Sequence, residues 1–168
     1  MEFYDVLRKR RSIRAYKEDP VPPEVLERIA SAAHNAPSAC NLQPYRFLVL
    51  TDAELIARLN AVTRQKFIGR APVVIAALGN EEAAWHRNGH SLMEFDLGIA
   101  MEHIVLAAAA EGLGSCYIGA FDVDAANRLL RVPSGWSAVM LTPLGYPAEA
   151  PRPFVRGKSV SELWETVK

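Results

Sequence analysis

Lys9, Arg10, Arg11 and Arg14 crowd the stretch KRRSIRAY, residues 9–16, with the hydroxyl of Ser12 among them. Guanidinium groups present forked N–H donors that match phosphate oxygens, and a serine hydroxyl fills a remaining lone pair. The plainer alternative is a solvated basic helix end, where each cation gains about 0.3–1 kcal/mol from the helix dipole. A second polar cluster, APSACNLQPYRF at 36–47, places Pro37, Ser38, Asn41, Gln43 and Pro44 in a turn-rich loop directly before a strand. Small residues and amides let backbone approach a planar ligand and offer it donors and acceptors. An ordinary helix-to-strand connection has the same composition. In the third cluster, GLGSCYIGAF at 112–121, two glycines end a helix and Gly119 sits inside an apparent strand. Glycine weakens a strand there unless something must come close, although a bulge without a ligand is the common case.

The elements that position these clusters follow from periodicity. Phe3, Val6 and Leu7, then Leu26, Ile29, Ala30 and Ala33, recur at helical spacing, so two amphipathic helices flank the basic stretch, which ends the first. Pro22 and Pro23 open the second helix. YRFLVLT at 45–51 reads as a strand, and Thr51 to Glu54 matches a capping box for a short helix through Leu55, Ile56 and Leu59. APVVIAALG at 71–79 predicts a strand buried on both faces. Residues 91–111 predict the longest helix, apolar over most of its circumference and therefore central, with Gly112 and Gly114 stopping it. Further strands are expected at 115–121 and 136–145, with a helix over 122–131 between them. After Tyr146 a proline-rich extended arm leads to a short capped helix at 159–167.

The cationic cluster raises three possibilities: a nucleic-acid backbone, a membrane surface, or one small phosphorylated ligand. Nineteen basic and nineteen acidic residues cancel over 168 residues, so no global field concentrates polyanions. That argues against nucleic acid. The most apolar long stretch, near 92–110, is interrupted by Glu94, Asp96, Glu102 and His103, and the N-terminus has no apolar core of signal-peptide length. A soluble cytoplasmic protein of one domain, with no membrane partner, is expected. Cys40 and Cys116 form no CxxC and no zinc-like spacing, which suits a reducing compartment.

Taken together and in this order, the clusters resemble the nitroreductase family of flavin mononucleotide (FMN) enzymes. The resemblance runs through RRSIR (10–14), APSACNLQPYRF (36–47), IAMEHIVLAAAAEGLGSCYIGAF (99–121), LGYPAE (144–149) and VRGK (155–158), essentially the whole chain. It implies an α+β fold: a three-layer α-β-α arrangement whose mixed, mostly antiparallel sheet is flanked by helices. A single domain would cover 1–168, with 147–168 as a C-terminal arm packing on the partner of a homodimer. Carried over by position, Arg10, Arg11 and Ser12 would meet phosphate or ribityl oxygens of FMN. Arg14 would reach the pyrimidine side of the ring, and Arg156 and Lys158 would return to the phosphate from the arm. Pro37, Ser38, Ala39, Asn41 and Gln43 would come from the other subunit, and Ile118 and Gly119 would lie against the ring.

The implied reaction is hydride transfer from NADH or NADPH, followed by passage of two electrons to a small acceptor such as a nitroaromatic, quinone or enone, in ping-pong fashion. No protein nucleophile or metal is required. The alternatives are a flavin-binding or regulatory protein without turnover, or a dehalogenating, flavin-fragmenting or dehydrogenase member of the family. A thiol reading of Cys40 with His34 and Asn41 rests on sequence neighbourhood alone, and His86, His90 and His103 follow no metal-ligand spacing. Tyr45 and Tyr117 stand where family members frequently carry tryptophan, and Cys40 where they carry glycine or a small polar residue. Only GNEEAAWHRNGH at 79–90 is available where longer members insert covering helices, so a substrate side that is open, or closed only by a mobile loop, is expected.

Overall fold

The computed structural model describes residues 2–151 and 156–167. Helix α1 (Phe3–Lys9) ends at Arg10, whose N–H donates to the Val6 carbonyl. Only Val6 of its apolar residues is buried; Phe3, Tyr4 and Leu7 face outward, so the amphipathic face expected of α1 finds no cover within one chain. The basic stretch is then extended rather than helical. The Ile13 N–H donates to the Ser115 carbonyl at 2.9 Å, the Lys17 N–H to that of Tyr146 at 2.9 Å, and the Ala148 N–H to that of Ala15 at 3.0 Å. Ile13 and Tyr16 turn into the core while Ser12 and Arg14 stay exposed.

Helix α2 (Pro23–His34) starts with Pro23 in its first turn, where the missing N–H costs nothing, and buries Val25, Ile29 and Ala33. Strand β1 (Tyr45–Leu50) follows the 36–44 loop. Helix α3 (Ala53–Ala61) is capped by Asp52, whose carboxylate accepts the Leu55 N–H at 2.6 Å; the cap expected at Thr51 is displaced by one residue because aspartate caps as well. Strand β2 (Val73–Gly79) is buried along its whole length. A short hairpin comes next, β3 (His86–Arg87) and β4 (His90–Ser91), turning through Asn88 and Gly89 at φ +52° and +80°. No strand was expected there, although Asn-Gly is the strongest short hairpin signal.

Helix α4 (Met93–Ala110) is apolar over most of its circumference and buries eight residues, from Met93 to Ala108. Gly112 stops it at φ +80°, and the Leu113 N–H closes on the Ala108 carbonyl at 2.8 Å. The strand expected at 115–121 is reduced to β5 (Gly114–Ser115) and a single bridge between Ile118 and Leu141. Phe121 bridges Thr63 instead, which draws the segment off the sheet. Helix α5 (Val123–Leu130), capped by Asp122, leads to strand β6 (Ser137–Gly145). The last helix, α6 (Val160–Leu163), has its Ser159/Glu162 capping box but stops at Trp164, short of the expected residue 167. Part of the arm expected over 147–158 lies outside the described residues.

The sheet order is β1-β2-β6-β5, and its strand pairs are antiparallel; the Ser12–Ser115 bridge adds a parallel contact. Alternation along β2 explains the layers. Val73, Ile75 and Ala77 pack with Ile29 of α2 and with Leu97, Met101 and Ile104 of α4. Val74, Ala76 and Leu78 pack with Ile56 and Leu59 of α3 and Ala126 of α5 on the opposite face. Helices thus cover both faces, giving the expected α+β, three-layer arrangement. No helix among the described residues is long and apolar enough to cross a membrane.

Close approach, not a special dihedral angle, requires glycine at 114. A Cβ there would lie 2.6 Å from the Cβ and Cγ1 of Ile13, so the extended basic segment would have to move as a unit. Gly114→Ala is expected to cost about 1–3 kcal/mol, the usual penalty for overpacking. Urea denaturation checks it, and an unchanged midpoint would contradict this packing.

Candidate functional site

The extended segment 10–15 forms one wall of a cavity of about 540 Å³, and Glu149, Ala150, Pro151 and Arg156 form the other. Arg10, Arg11, Ser12, Arg14 and Arg156, which sequence reasoning assigned to one ligand, therefore meet around one space. The backbone pairing of 13–17 with 115, 146 and 148 brings the two ends of the chain together here. Neither ion pair found among the described residues, Arg8–Asp5 or Arg28–Glu111, uses Arg10, Arg11 or Arg14. Arg11 turns back to donate to the Arg10 carbonyl at 2.7 Å, so it also closes the end of α1. Lys158 is exposed and does not line the cavity.

Beneath the basic segment lies Cys116, 4 % exposed. Burial pushes its thiol up, while the Arg14 charge, the Ser12 hydroxyl and the Arg10 charge pull the other way. The Tyr16 hydroxyl, also buried, donates to the Ile13 carbonyl at 2.6 Å. Burial raises this phenol well above its ordinary value, with Cys116 adding to the effect and Arg14 opposing it. One residue past Cys116, the Tyr117 hydroxyl donates to Glu102 Oε2 of α4 at 3.0 Å. Burial and then the facing carboxylate raise that phenol too. Ile118 is 3 % exposed and packs in the core, both of its backbone groups being bonded to Leu141. Gly119 is exposed, with open space where a Cβ would be.

The loop at 36–44 is not part of the cavity. Ala39–Asn41 forms a 3₁₀ turn, and Cys40, Asn41 and Gln43 all have positive φ, +51°, +56° and +48°. Non-glycine residues in that region cost of order 1–3 kcal/mol each and are found where surrounding contacts enforce them. The contacts here are the Gln43 N–H to Ser38 Oγ and the Ala39 N–H to Asp96 Oδ1, each at 3.0 Å. Pro37, Asn41 and Gln43 are otherwise exposed on the single chain and Ser38 is half-buried, and none of the four lines the arginine cavity. Gln43 borders a second, apolar cavity of about 490 Å³ between α2 and β1.

Sequence reasoning passed over Asp96, the one charged residue among the buried ones of the described residues. Its signal was a carboxyl group inside an apolar helix, noted only as an interruption. Glu149, at the cavity wall, carried no signal of its own. Among the histidines, His86 Nδ1 lies 3.0 Å from the Ala84 carbonyl and His103 Nδ1 3.0 Å from that of Ala32. Among the described residues no group of acidic, His and Cys side chains could hold a metal ion.

The chain belongs to the nitroreductase family, whose model matches residues 7–65 and 60–146. An NADH dehydrogenase of Thermus thermophilus is 33% identical over 179 residues, covering 84% of each chain. An iodotyrosine deiodinase of Thermotoga neapolitana is 26% identical over 177 residues, covering 90% of this chain and 91% of its own. The solved structure of an FMN-dependent nitroreductase from Clostridium difficile R20291 superposes with a TM-score of 0.85 at 28% identity, covering 97% and 98% of the two chains.

The raised Tyr16 phenol has a pH consequence. The folded state keeps this proton longer than the unfolded chain, so its contribution is complete below about pH 10 and is lost as pH rises further. Urea midpoints between about pH 9 and 11 should fall more steeply for the parent than for Tyr16→Phe. The expected difference approaches ~1.4 kcal/mol per pH unit above the unfolded phenol's pKa. Equal slopes would contradict the buried, protonated phenol.

Proposed function

We propose that this protein is an FMN-dependent oxidoreductase that takes hydride from NAD(P)H and delivers two electrons to a small acceptor, a nitroaromatic, quinone or enone. The observation that carries the reading is the meeting of Arg10, Arg14 and Arg156, from opposite ends of the chain, around one cavity. Its volume lies in the range of ligand sites, and two of those arginines have no carboxylate partner among the described ion pairs. A terminal phosphate dianion supplies the missing charge, and the guanidinium forks match its oxygens. The residues present therefore fit FMN.

Arg10, Ser12 and Arg156 hold the phosphate, with Arg11 adding positive charge at its rim; Lys158, outside the cavity lining, has no part in this reading. Arg14 lies farther along the same wall and supplies a fixed cation for the polar edge of the ring. Gly119, with open space beside it, lets backbone approach the ring face. Ile118 contributes through its position in the core, holding that backbone against β6. When bound, FMN supplies the redox centre that accepts hydride and returns electrons in pairs. Arg14 favours negative charge on the ring edge through a pre-oriented interaction rather than one assembled from solvent.

The protein acts as a homodimer in this reading. Pro37, Ser38, Ala39, Asn41 and Gln43 lie away from the cavity of their own chain and reach that of the second copy. Exposed Phe3, Tyr4 and Phe95, with Val160, Leu163 and Trp164 of the arm, give the apolar surface such a dimer buries. Donor and acceptor occupy the same exposed face in turn. With only the β3–β4 hairpin in the 79–91 segment, that face stays open to acceptors of varied shape.

Double-reciprocal plots with NAD(P)H and menadione should be parallel; intersecting lines would overturn the shared face. Arg14→Ala at saturating FMN should slow flavin bleaching by NAD(P)H at least tenfold. That floor lies below the roughly hundred- to thousandfold loss usual when one pre-oriented charge contact is removed, since Arg11 and water remain nearby. Cys40→Ser should stay within a few-fold of the parent. If instead Cys40→Ser abolishes bleaching and Arg14→Ala does not slow it, thiol chemistry replaces this reading.

A further inference from the structure

Asp96 is 1 % exposed and sits in the first turn of α4, among Met93, Leu97 and Met101. One carboxyl oxygen, Oδ1, accepts the Ala39 N–H at 3.0 Å across 57 residues of sequence. The other, Oδ2, is buried with no hydrogen-bond partner, and so is the Tyr45 hydroxyl on β1. Burial and then the Asp96 charge raise the Tyr45 phenol, with Gln43 opposing them. A half-satisfied buried carboxyl group weakens a core that an apolar side chain would fill without loss. What this one does is grip the 38–43 loop at the residue just before Cys40, Asn41 and Gln43 take up positive φ. No other side chain of α4 reaches that loop in the hydrogen bonds of the described residues.

We propose that Asp96 is a positioning residue, whose carboxyl group fixes the strained 38–43 backbone from inside α4 in the geometry that the flavin site requires. The proposal rests on the flavin reading for its functional consequence and on the Ala39 contact for its structural one. A structural role alone would show in stability. A positioning role separates stability from ligand affinity, because replacing the carboxyl group with an apolar one frees the loop without opening the core.

The test compares the parent, Asp96→Asn and Asp96→Leu. Asparagine keeps an acceptor for the Ala39 N–H; leucine does not. Urea midpoints of Asp96→Leu should equal or exceed the parent's, while its FMN dissociation constant, from quenching of flavin fluorescence, rises at least tenfold. Asp96→Asn should bind FMN within threefold of the parent. Parental affinity in a folded Asp96→Leu protein, or Asp96→Asn as weak as Asp96→Leu, overturns the proposal. Hydrogen exchange of the Ala39 amide in the FMN-free protein gives a readout that needs no flavin and no leucine variant. Slow exchange in the parent and in Asp96→Asn supports the contact, and fast exchange in the parent overturns it even if every other variant fails to fold. Slow Ala39 exchange in a parent that takes up no FMN would sink the flavin reading while leaving the Asp96 contact standing.

Discussion

Ile13 occupies the space that a side chain on Gly114 would need, and its N–H is bonded to the carbonyl of the next residue, Ser115. That contact decides which way the basic segment faces. With Ile13 committed to the core, its two neighbours Ser12 and Arg14 fall on the opposite, outward side of the extended backbone, and Tyr16, three residues on, anchors the segment in the core a second time. The Tyr16 hydroxyl returns to the Ile13 carbonyl and locks the same short stretch. Ala15 pairs with Ala148, so the chain leaving β6 is brought alongside, and Arg156 then lines the same space as Arg10. A local concentration of guanidinium groups thus becomes a walled cavity rather than a solvated helix end. Mutual repulsion among those groups is unfavourable without an anion between them.

Helix α4 plays the complementary part. It buries eight of its eighteen residues, so the polar groups on its inner side have fixed places. Two of its carboxyl groups each reach a segment of the site: Asp96 bonds the backbone of the 36–44 loop and Glu102 accepts from Tyr117 beside Ile118 and Gly119. At its far end, Glu111 holds Arg28 of α2 in a two-point pair at 2.8 and 2.7 Å. The helix therefore acts as one rigid bar to which both segments are tied. A cofactor whose two ends need separate recognition benefits from such a common support, since errors in relative position fall on one element.

Much of this was legible in the sequence for reasons that can be stated residue by residue. The β-branched run at 73–78 has to be a doubly buried strand, the apolar helix ending at Gly112 has to be central, and Pro23 and Asp122 mark helix starts. Local chemistry carries such features. The cationic wall was visible as a cluster, but its meeting with Arg156 depended on a resemblance, because nothing local joins residues 146 positions apart. The apparent strand at 115–121 failed because its backbone partners lie elsewhere: Phe121 pairs with Thr63, and only Ile118 keeps Leu141. The hairpin at Asn88–Gly89 was readable and was missed. Asp96 could be seen as a carboxyl group in the wrong place, yet its partner, a backbone N–H of the second motif, is a property of the fold alone.

The central claim is that the cavity exists to hold a phosphate, and the phosphate can be removed from the ligand without touching its ring. Isothermal titration of the FMN-free protein with FMN and with riboflavin, at low and at high salt, measures that directly. FMN should bind at least a hundredfold more tightly than riboflavin at low salt. That gap should narrow as salt rises, because a charge-assisted contact of several guanidinium groups is screened while ring stacking is not. Equal affinities for the two ligands, or a preference that ignores salt, would contradict the account at its base.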